Sequence, residues 1–210
     1  MLQVQDLTLT LGDTPLLRRV NFTVQPGEIL TLMGPSGSGK STLFAWMIGA
    51  LGGEFRASGE LWLNERRCDL LPTEKRRIGI LFQDALLFDH LSVGENLKLA
   101  LPVTVGRHER QTQVLQALDH AGLTDFYARD PATLSGGQRA RVALLRALLA
   151  QPDALLLDEP FSRLDQQLRN SFRQWVFNEL QHRQIPVVQV THDADDVPSG
   201  ARCLQLENWR

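Results

Sequence analysis

The sequence predicts an α/β fold, and three observations carry that prediction. Short, largely apolar runs of strand length stand at residues 29–33, 154–157 and 186–190; strands covered on both faces need such runs. Apolar residues recurring every three or four positions fill the middle of the chain and the gap between the last two runs. Apolar-polar alternation is confined to the N-terminus, where it marks strands with one wet face.

Leu2, Val4, Leu7, Leu9 and Leu11 alternate with polar residues, as do Val20, Phe22 and Val24. With a turn at residues 12–15 between them, these two strands are expected to open an antiparallel N-terminal β subdomain. Pro26-Gly27 then turns the chain into the buried strand 29–33, which runs directly into a glycine-rich loop. Residues 40–51 carry Leu43, Phe44, Met47 and Ile48 at helical spacing, with Gly52-Gly53 as the expected stop. Strands are expected at 60–63 and 77–82. From 92 to 150, Leu97, Leu101, Val114, Leu115, Leu118, Val142, Leu145 and Leu149 mark a helical subdomain. The strand 154–157, a helix over 168–180 and the strand 186–190 complete a parallel strand-helix-strand unit. The expected organisation is a single domain, with a core of about 1–83 and 151–210 and a helical insertion at about 84–150.

A chain of 210 residues, 43% hydrophobic and 22% charged, can bury one substantial core. Its formal net charge of -2 and lack of like-charge runs argue against a nucleic-acid partner. Cys68 and Cys203 have neither metal-ligand nor redox spacing, so free thiols in a reducing compartment are expected. Residues 1–11 lack the features of a signal peptide, and no apolar stretch reaches membrane-spanning length. Any membrane role is therefore expected to pass through a partner.

The glycine-rich loop reads Gly34-Pro35-Ser36-Gly37-Ser38-Gly39-Lys40-Ser41-Thr42 and fits G-x-x-x-x-G-K-[ST] between a buried strand and a helix. Gly37 and Gly39 allow backbone N–H groups to turn inward around a β-phosphate, and the helix start adds its positive end. Lys40 is placed to meet the β- and γ-phosphates of ATP, and the Ser41 hydroxyl is a candidate Mg²⁺ ligand. These residues predict a P-loop nucleoside triphosphate hydrolase core. Further along, Asp158-Glu159-Pro160 follows three leucines at the C-terminal end of a strand, the edge where open α/β sheets bind ligands. Asp158 is the candidate for holding Mg²⁺, and Glu159 for polarising the attacking water. By itself Asp-Glu-Pro is equally an ordinary turn and helix start.

Leu134-Ser135-Gly136-Gly137-Gln138, shortly before the Asp158 strand, narrows the choice. With it the chain resembles the ATP-binding subunits of ABC transporters over essentially its whole length. The resemblance takes in, in order, the phosphate loop, Gln83, the 134–138 signature, Asp158-Glu159 and His192. Ser135 can cap the following helix, while Gly136 and Gly137 let its first N–H groups approach phosphate. The resemblance implies a head-to-tail dimer with two-fold symmetry, in which Ser135, Gly136, Gly137 and Gln138 of one copy close on ATP held by the other. It also implies that Gln83 senses Mg²⁺ and the attacking water, that Asp165 lies in a loop crossing the interface, and that His192 is a switch residue contacting the γ-phosphate. The other histidines, His90, His108, His120 and His182, are expected on surfaces or helices.

Two departures stand out. Where the family places an adenine-stacking aromatic, about two dozen residues before the phosphate loop, this chain has Leu11, which offers only apolar contact. Pro198 and Gly200 are expected to shorten the helix that normally follows His192. The end at Arg210 is read as leaving no room for a regulatory domain.

Residues 83–96 resemble the corresponding segment of bacterial binding-protein-dependent importers. Leu86, Leu87, Phe88 and Leu91 either line a groove for a cytoplasmic helix of a membrane permease or pack into the helical subdomain. The implied setting is the inner face of the cell membrane, reached through permease subunits, with an extracytoplasmic substrate-binding protein acting through them. A soluble ABC-type assembly ATPase is the alternative, separable by a neighbouring gene encoding apolar segments of about 20 residues.

Overall fold

The structure, a computed structural model, describes residues 1–209 apart from the side chain of Gln167. Its strands are β1 (Leu2–Leu11), β2 (Thr14–Val24), β3 (Ile29–Met33), β4 (Phe55–Leu63), β5 (Arg66–Arg67), β6 (Ile78–Leu81), β7 (Ala154–Asp158), β8 (Val187–Thr191) and β9 (Arg202–Gln205). The helices are α1 (Lys40–Ile48), α2 (Thr73–Arg76), α3 (Val93–Ala100), α4 (Arg107–His120), α5 (Gly136–Leu149) and α6 (Gln166–Arg183). The chain divides into two compact units.

The first unit comprises Met1–Ile80, Asp153–Glu159 and the chain from Phe177 onward. One of its sheets is antiparallel, in the order β2-β1-β4-β5. Leu2, Val4, Leu7 and Leu9 of β1 are all buried although the spacing slips between Val4 and Leu7. The register shifts there, with Asp6 in the left-handed region at φ 47° and paired with Asn21, and this bulge returns Leu7 to the inner face. Opposite it, β4 begins at Phe55, earlier than the sequence indicates. Gly59, at φ +133°, interrupts the strand pattern because a Cβ there would lie 2.5 Å from the Leu7 Cα.

The other sheet has the order β6-β7-β8-β3-β9, with β7, β8, β3 and β9 parallel. Leu30, Leu32, Leu156, Val188 and Val190 form one buried cluster with Leu43, Phe44 and Met47 of α1. Each of those three helical side chains contributes roughly 1.5–3 kcal/mol by burial, which anchors the helix that starts at the phosphate loop. α1 ends at Ile48, short of the expected Leu51. Gly49 takes the left-handed cap at φ 80° and donates to the Ala45 and Trp46 carbonyls. After β8, Ala194–Asp196 makes a short 3₁₀ turn, and Pro198 and Gly200 lead into β9.

The second unit comprises Leu81–Pro152 and Pro160–Val176. It therefore includes residues 160–176, which the sequence boundaries assign to the core. Aromatic packing explains the reassignment: Phe161 meets Phe172 edge-on at 5.8 Å, Trp175 stacks on Phe172 at 5.8 Å, and Arg141 of α5 lies 5.7 Å from the Trp175 ring centroid. Among the described residues no helix is long and apolar enough to cross a membrane.

Candidate nucleotide site

The phosphate loop joins β3 to α1. Gly37 and Gly39 stand at φ +77° and +94°, which β-bearing residues rarely adopt. Gly39 is the N-cap of α1 and supplies no side-chain hydrogen bond, so the first N–H groups of that helix have no side-chain acceptor at the cap. Gly34 is needed for a different reason: a Cβ there would lie 2.7 Å from the Ser38 hydroxyl, which is buried in the loop. Lys40 is only 6% exposed, and its ammonium donates to the carbonyls of Gly34 (2.7 Å) and Pro35 (3.0 Å).

At the end of β7 the chain places two acids side by side. Burial pushes the Asp158 carboxyl above the usual range, and the adjacent Glu159 charge pushes it further; Lys40 and a hydrogen bond from Ser41 oppose both. A carboxylate raised in this way and bonded to a hydroxyl suits a hard divalent cation, which takes oxygen ligands. Among the described residues no cluster of three His, Cys, Asp or Glu side chains could hold a metal. An ion at Ser41 and Asp158 would therefore take its remaining oxygens from other sources, such as bound phosphate, an amide or water.

Glu159 lies in the left-handed region at φ 45°, fixed by its N–H donating to the Val190 carbonyl of β8 (3.0 Å). Such a backbone costs about 1–3 kcal/mol and persists only where its surroundings hold it. Its carboxylate is 3.6 Å from the Lys40 ammonium through Oε1 and 3.1 Å from His192 Nδ1 through Oε2. The first unit thus brings Lys40, Asp158, Glu159 and His192 to the C-terminal ends of β3, β7 and β8. Leu11 is 45% exposed at the end of β1.

The remaining candidates belong to the second unit. Ser135 caps α5 through a capping box: Gln138 N–H donates to Ser135 Oγ (3.3 Å), and Ser135 N–H donates to Gln138 Oε1 (2.9 Å). Gly136 and Gly137 form the first turn of that helix. Gln83 donates to the Ser162 hydroxyl at 3.0 Å, and Asp84 pairs with Arg163. Asp165 accepts from the Leu168 N–H at 3.0 Å and caps the first turn of α6. The sequence reading missed two of these details. Ser-x-x-Gln before an apolar helix signals the Gln138 half of the capping box, whereas no local pattern signals the Asp84–Arg163 pair. Of the apolar residues after Gln83, Leu87 is buried and Leu91 half-buried, while Leu86 and Phe88 are 55% and 46% exposed.

A family profile described as ABC transporter matches residues 17–162. The chain belongs to this family. It is an ATP-binding, ATP-hydrolysing subunit of an ABC transporter, and its α/β core, antiparallel subdomain and helical part are those of the cassette fold. It is 64% identical over 209 residues to the uncharacterized ABC transporter ATP-binding protein YnjD of Escherichia coli (strain K12), covering 100% of this chain and 96% of that protein. It is 40% identical to a sulfate/thiosulfate import ATP-binding protein of Nephroselmis olivacea and 39% identical to an Fe(3+) ions import ATP-binding protein of Haemophilus influenzae. Those alignments cover 98% and 93% of this chain but only 59% and 56% of the relatives. Among solved structures, a dimeric ATP-binding cassette in a post-hydrolysis state with ADP and Pi matches at a TM-score of 0.80 and 31% identity, over 98% of this chain and 94% of that one. The cbiO1 subunit of an ABC transporter complex from Clostridium perfringens matches at 0.85 and 29%, over 97% and 83%.

Proposed function

We propose that two copies of this chain close head to tail on two ATP molecules and that this closure drives substrate import through membrane permease subunits. The observation that carries the reading is the placement of Glu159 between the Lys40 ammonium and His192, at the end of a buried strand. Lys40 and the uncapped start of α1 would bind the β- and γ-phosphates, and Ser41 and Asp158 would hold Mg²⁺, with Gln83 as a further ligand. When bound, that ion supplies charge neutralisation on the phosphate oxygens. Glu159 accepts the proton of the attacking water, and His192 orients the carboxylate and meets the γ-phosphate. Ser135, Gly136, Gly137 and Gln138 of the second copy, a preformed helix start, would bind phosphate from the other side, with Asp165 near that interface. Import is supported by the names of the relatives, sulfate/thiosulfate and Fe(3+) import proteins. An extracytoplasmic binding protein would deliver the substrate to the permease. The assembly is accordingly peripheral on the inner membrane face. Glu159→Gln protein saturated with Mg-ATP should elute as a dimer on size-exclusion chromatography and as a monomer without nucleotide; a monomer in both conditions would reject the paired site.

Two consequences follow for particular side chains. Leu11 replaces an aromatic ring, and ring stacking is worth about 0.5–1.5 kcal/mol beyond area burial. Leu11→Tyr should therefore tighten ATP binding by about 2- to 13-fold, and a titration showing no gain would remove Leu11 from the base site. Phe88→Ala should abolish stimulation of turnover by the cognate permease while ATP affinity stays within about twofold, because the half-exposed ring is the aromatic part of the proposed docking surface. Parallel loss of affinity and stimulation would mean that Phe88 supports the fold instead.

A further inference from the structure

Residues 85–92 connect Gln83 to α3 and present the exposed Leu86 and Phe88. Nothing in that segment is regular secondary structure, yet its carbonyls are gripped from two helices of the same unit. From α5, Arg146 donates to the Leu86 carbonyl (2.8 Å) and the Ala85 carbonyl (3.1 Å), and its guanidinium lies 5.7 Å from the Phe88 ring centroid. From α3, the fully buried Asn96 accepts from the Phe88 N–H (2.8 Å) and donates to the carbonyls of Phe88 (3.1 Å), Leu91 (3.2 Å) and Ser92 (3.0 Å). Leu86 itself sits at φ 44°, a left-handed conformation that a leucine leaves unless held.

The two grips differ in what stands behind them. Asn96 belongs to a helix that starts at the segment's own end, so it fixes local shape. Arg146 belongs to α5, whose first turn is the Ser135–Gln138 capping box. Arg146 lies ten residues after Gly136 in the continuous helix, about 15 Å at the usual rise. A helix moves as a rigid rod over such a length, so a force at its N-terminus reaches Arg146 with little loss. Burial also depresses the Arg146 pKa. A guanidinium nonetheless stays charged at neutral pH, so its hydrogen bonds are charge-assisted and stronger than neutral ones.

We infer that Arg146 is a positioning residue that ties the nucleotide-facing start of α5 to the exposed Leu86–Phe88 surface, so that movement of the signature turn displaces that surface. The tether rests on the head-to-tail reading for what moves α5 and on the docking reading for what the surface touches. Its hydrogen bonds can be tested apart from both.

The experiment is amide hydrogen exchange on the full chain, for the unaltered protein, Arg146→Ala, Arg146→Lys and Asn96→Ala, alongside ATP affinity and turnover of the isolated protein. Arg146 holds carbonyls, so its loss is read at the Phe88 N–H, which Asn96 accepts: Arg146→Ala should speed exchange of that amide about tenfold with turnover and affinity within twofold. Arg146→Lys, which keeps the charge but not the fork, should be intermediate. Asn96→Ala, which removes the acceptor of the Phe88 N–H itself, should speed exchange at 88–92 more than Arg146→Ala does. Unchanged protection of the Phe88 N–H in Arg146→Ala would overturn the inference. So would faster exchange throughout α5 together with lost turnover in both Arg146 variants, the pattern of a merely structural residue. In a Glu159→Gln background, saturating Mg-ATP should alter exchange at 85–91, and Arg146→Ala should remove that response; a response that survives would overturn the transmission role. If the tether behaves as expected but neither Phe88→Ala nor Arg146→Ala alters stimulation by the permease, the docking reading fails and the tether stands.

Discussion

Glu159→Gln should slow ATP turnover by about 10²- to 10⁴-fold, the range for losing a general base, equivalent to about 3–5 kcal/mol of transition-state stabilisation. The replacement is nearly isosteric, so the left-handed backbone at Glu159 and its bond to the Val190 carbonyl need not change. What is lost is the negative charge that stands 3.6 Å from Lys40 and 3.1 Å from His192, and with it the capacity to accept a proton from water. Nucleotide affinity should be retained, because phosphate binding rests on the N–H groups of the loop and on Lys40. A phosphate-release assay beside an ATP titration separates the two effects. Turnover at the unaltered rate would remove Glu159 from the reaction and leave Asp158 as the next candidate at the end of β7.

The difference between what the sequence displays and what it conceals follows from the range of the interactions. Loop 34–42 is legible because glycine conformations and a helix start are local properties, and β3 is legible because its flanking strands demand an apolar run. Ser135 is legible as a cap for the same reason. The left-handed Glu159 is not, since it depends on a hydrogen bond to β8, more than thirty residues away in the chain. The start of β4 is hidden because Gly59 reads as a break until Leu7 is placed against it. Residues 160–176 look like part of the core because a strand precedes them and a helix carries them back; only the Phe161–Phe172–Trp175 packing assigns them to the helical unit. Asp165 carries polar character that a reading from resemblance gives wholly to the dimer interface, although capping α6 already accounts for a carboxylate there.

Lys40→Ala should weaken ATP binding by about 10- to 100-fold, since a hydrogen bond to a charged group is worth about 1.5–3 kcal/mol and every 1.4 kcal/mol is a factor of ten. The effect differs in kind from that of Glu159→Gln. Lys40 is buried, its ammonium spans the loop carbonyls of Gly34 and Pro35 and the Glu159 carboxylate, and phosphate binding would bring a second source of negative charge to the same ammonium. Removing it leaves those carbonyls without their donor and takes a positive charge away from the Asp158–Glu159 acid pair. Repulsion between that pair and the γ-phosphate should then make the loss larger for ATP than for ADP. Isothermal titration with both nucleotides in the presence of Mg²⁺ measures this directly. Equal losses for the two would show that Lys40 serves the β-phosphate alone, and an unchanged ATP affinity would contradict the phosphate role altogether.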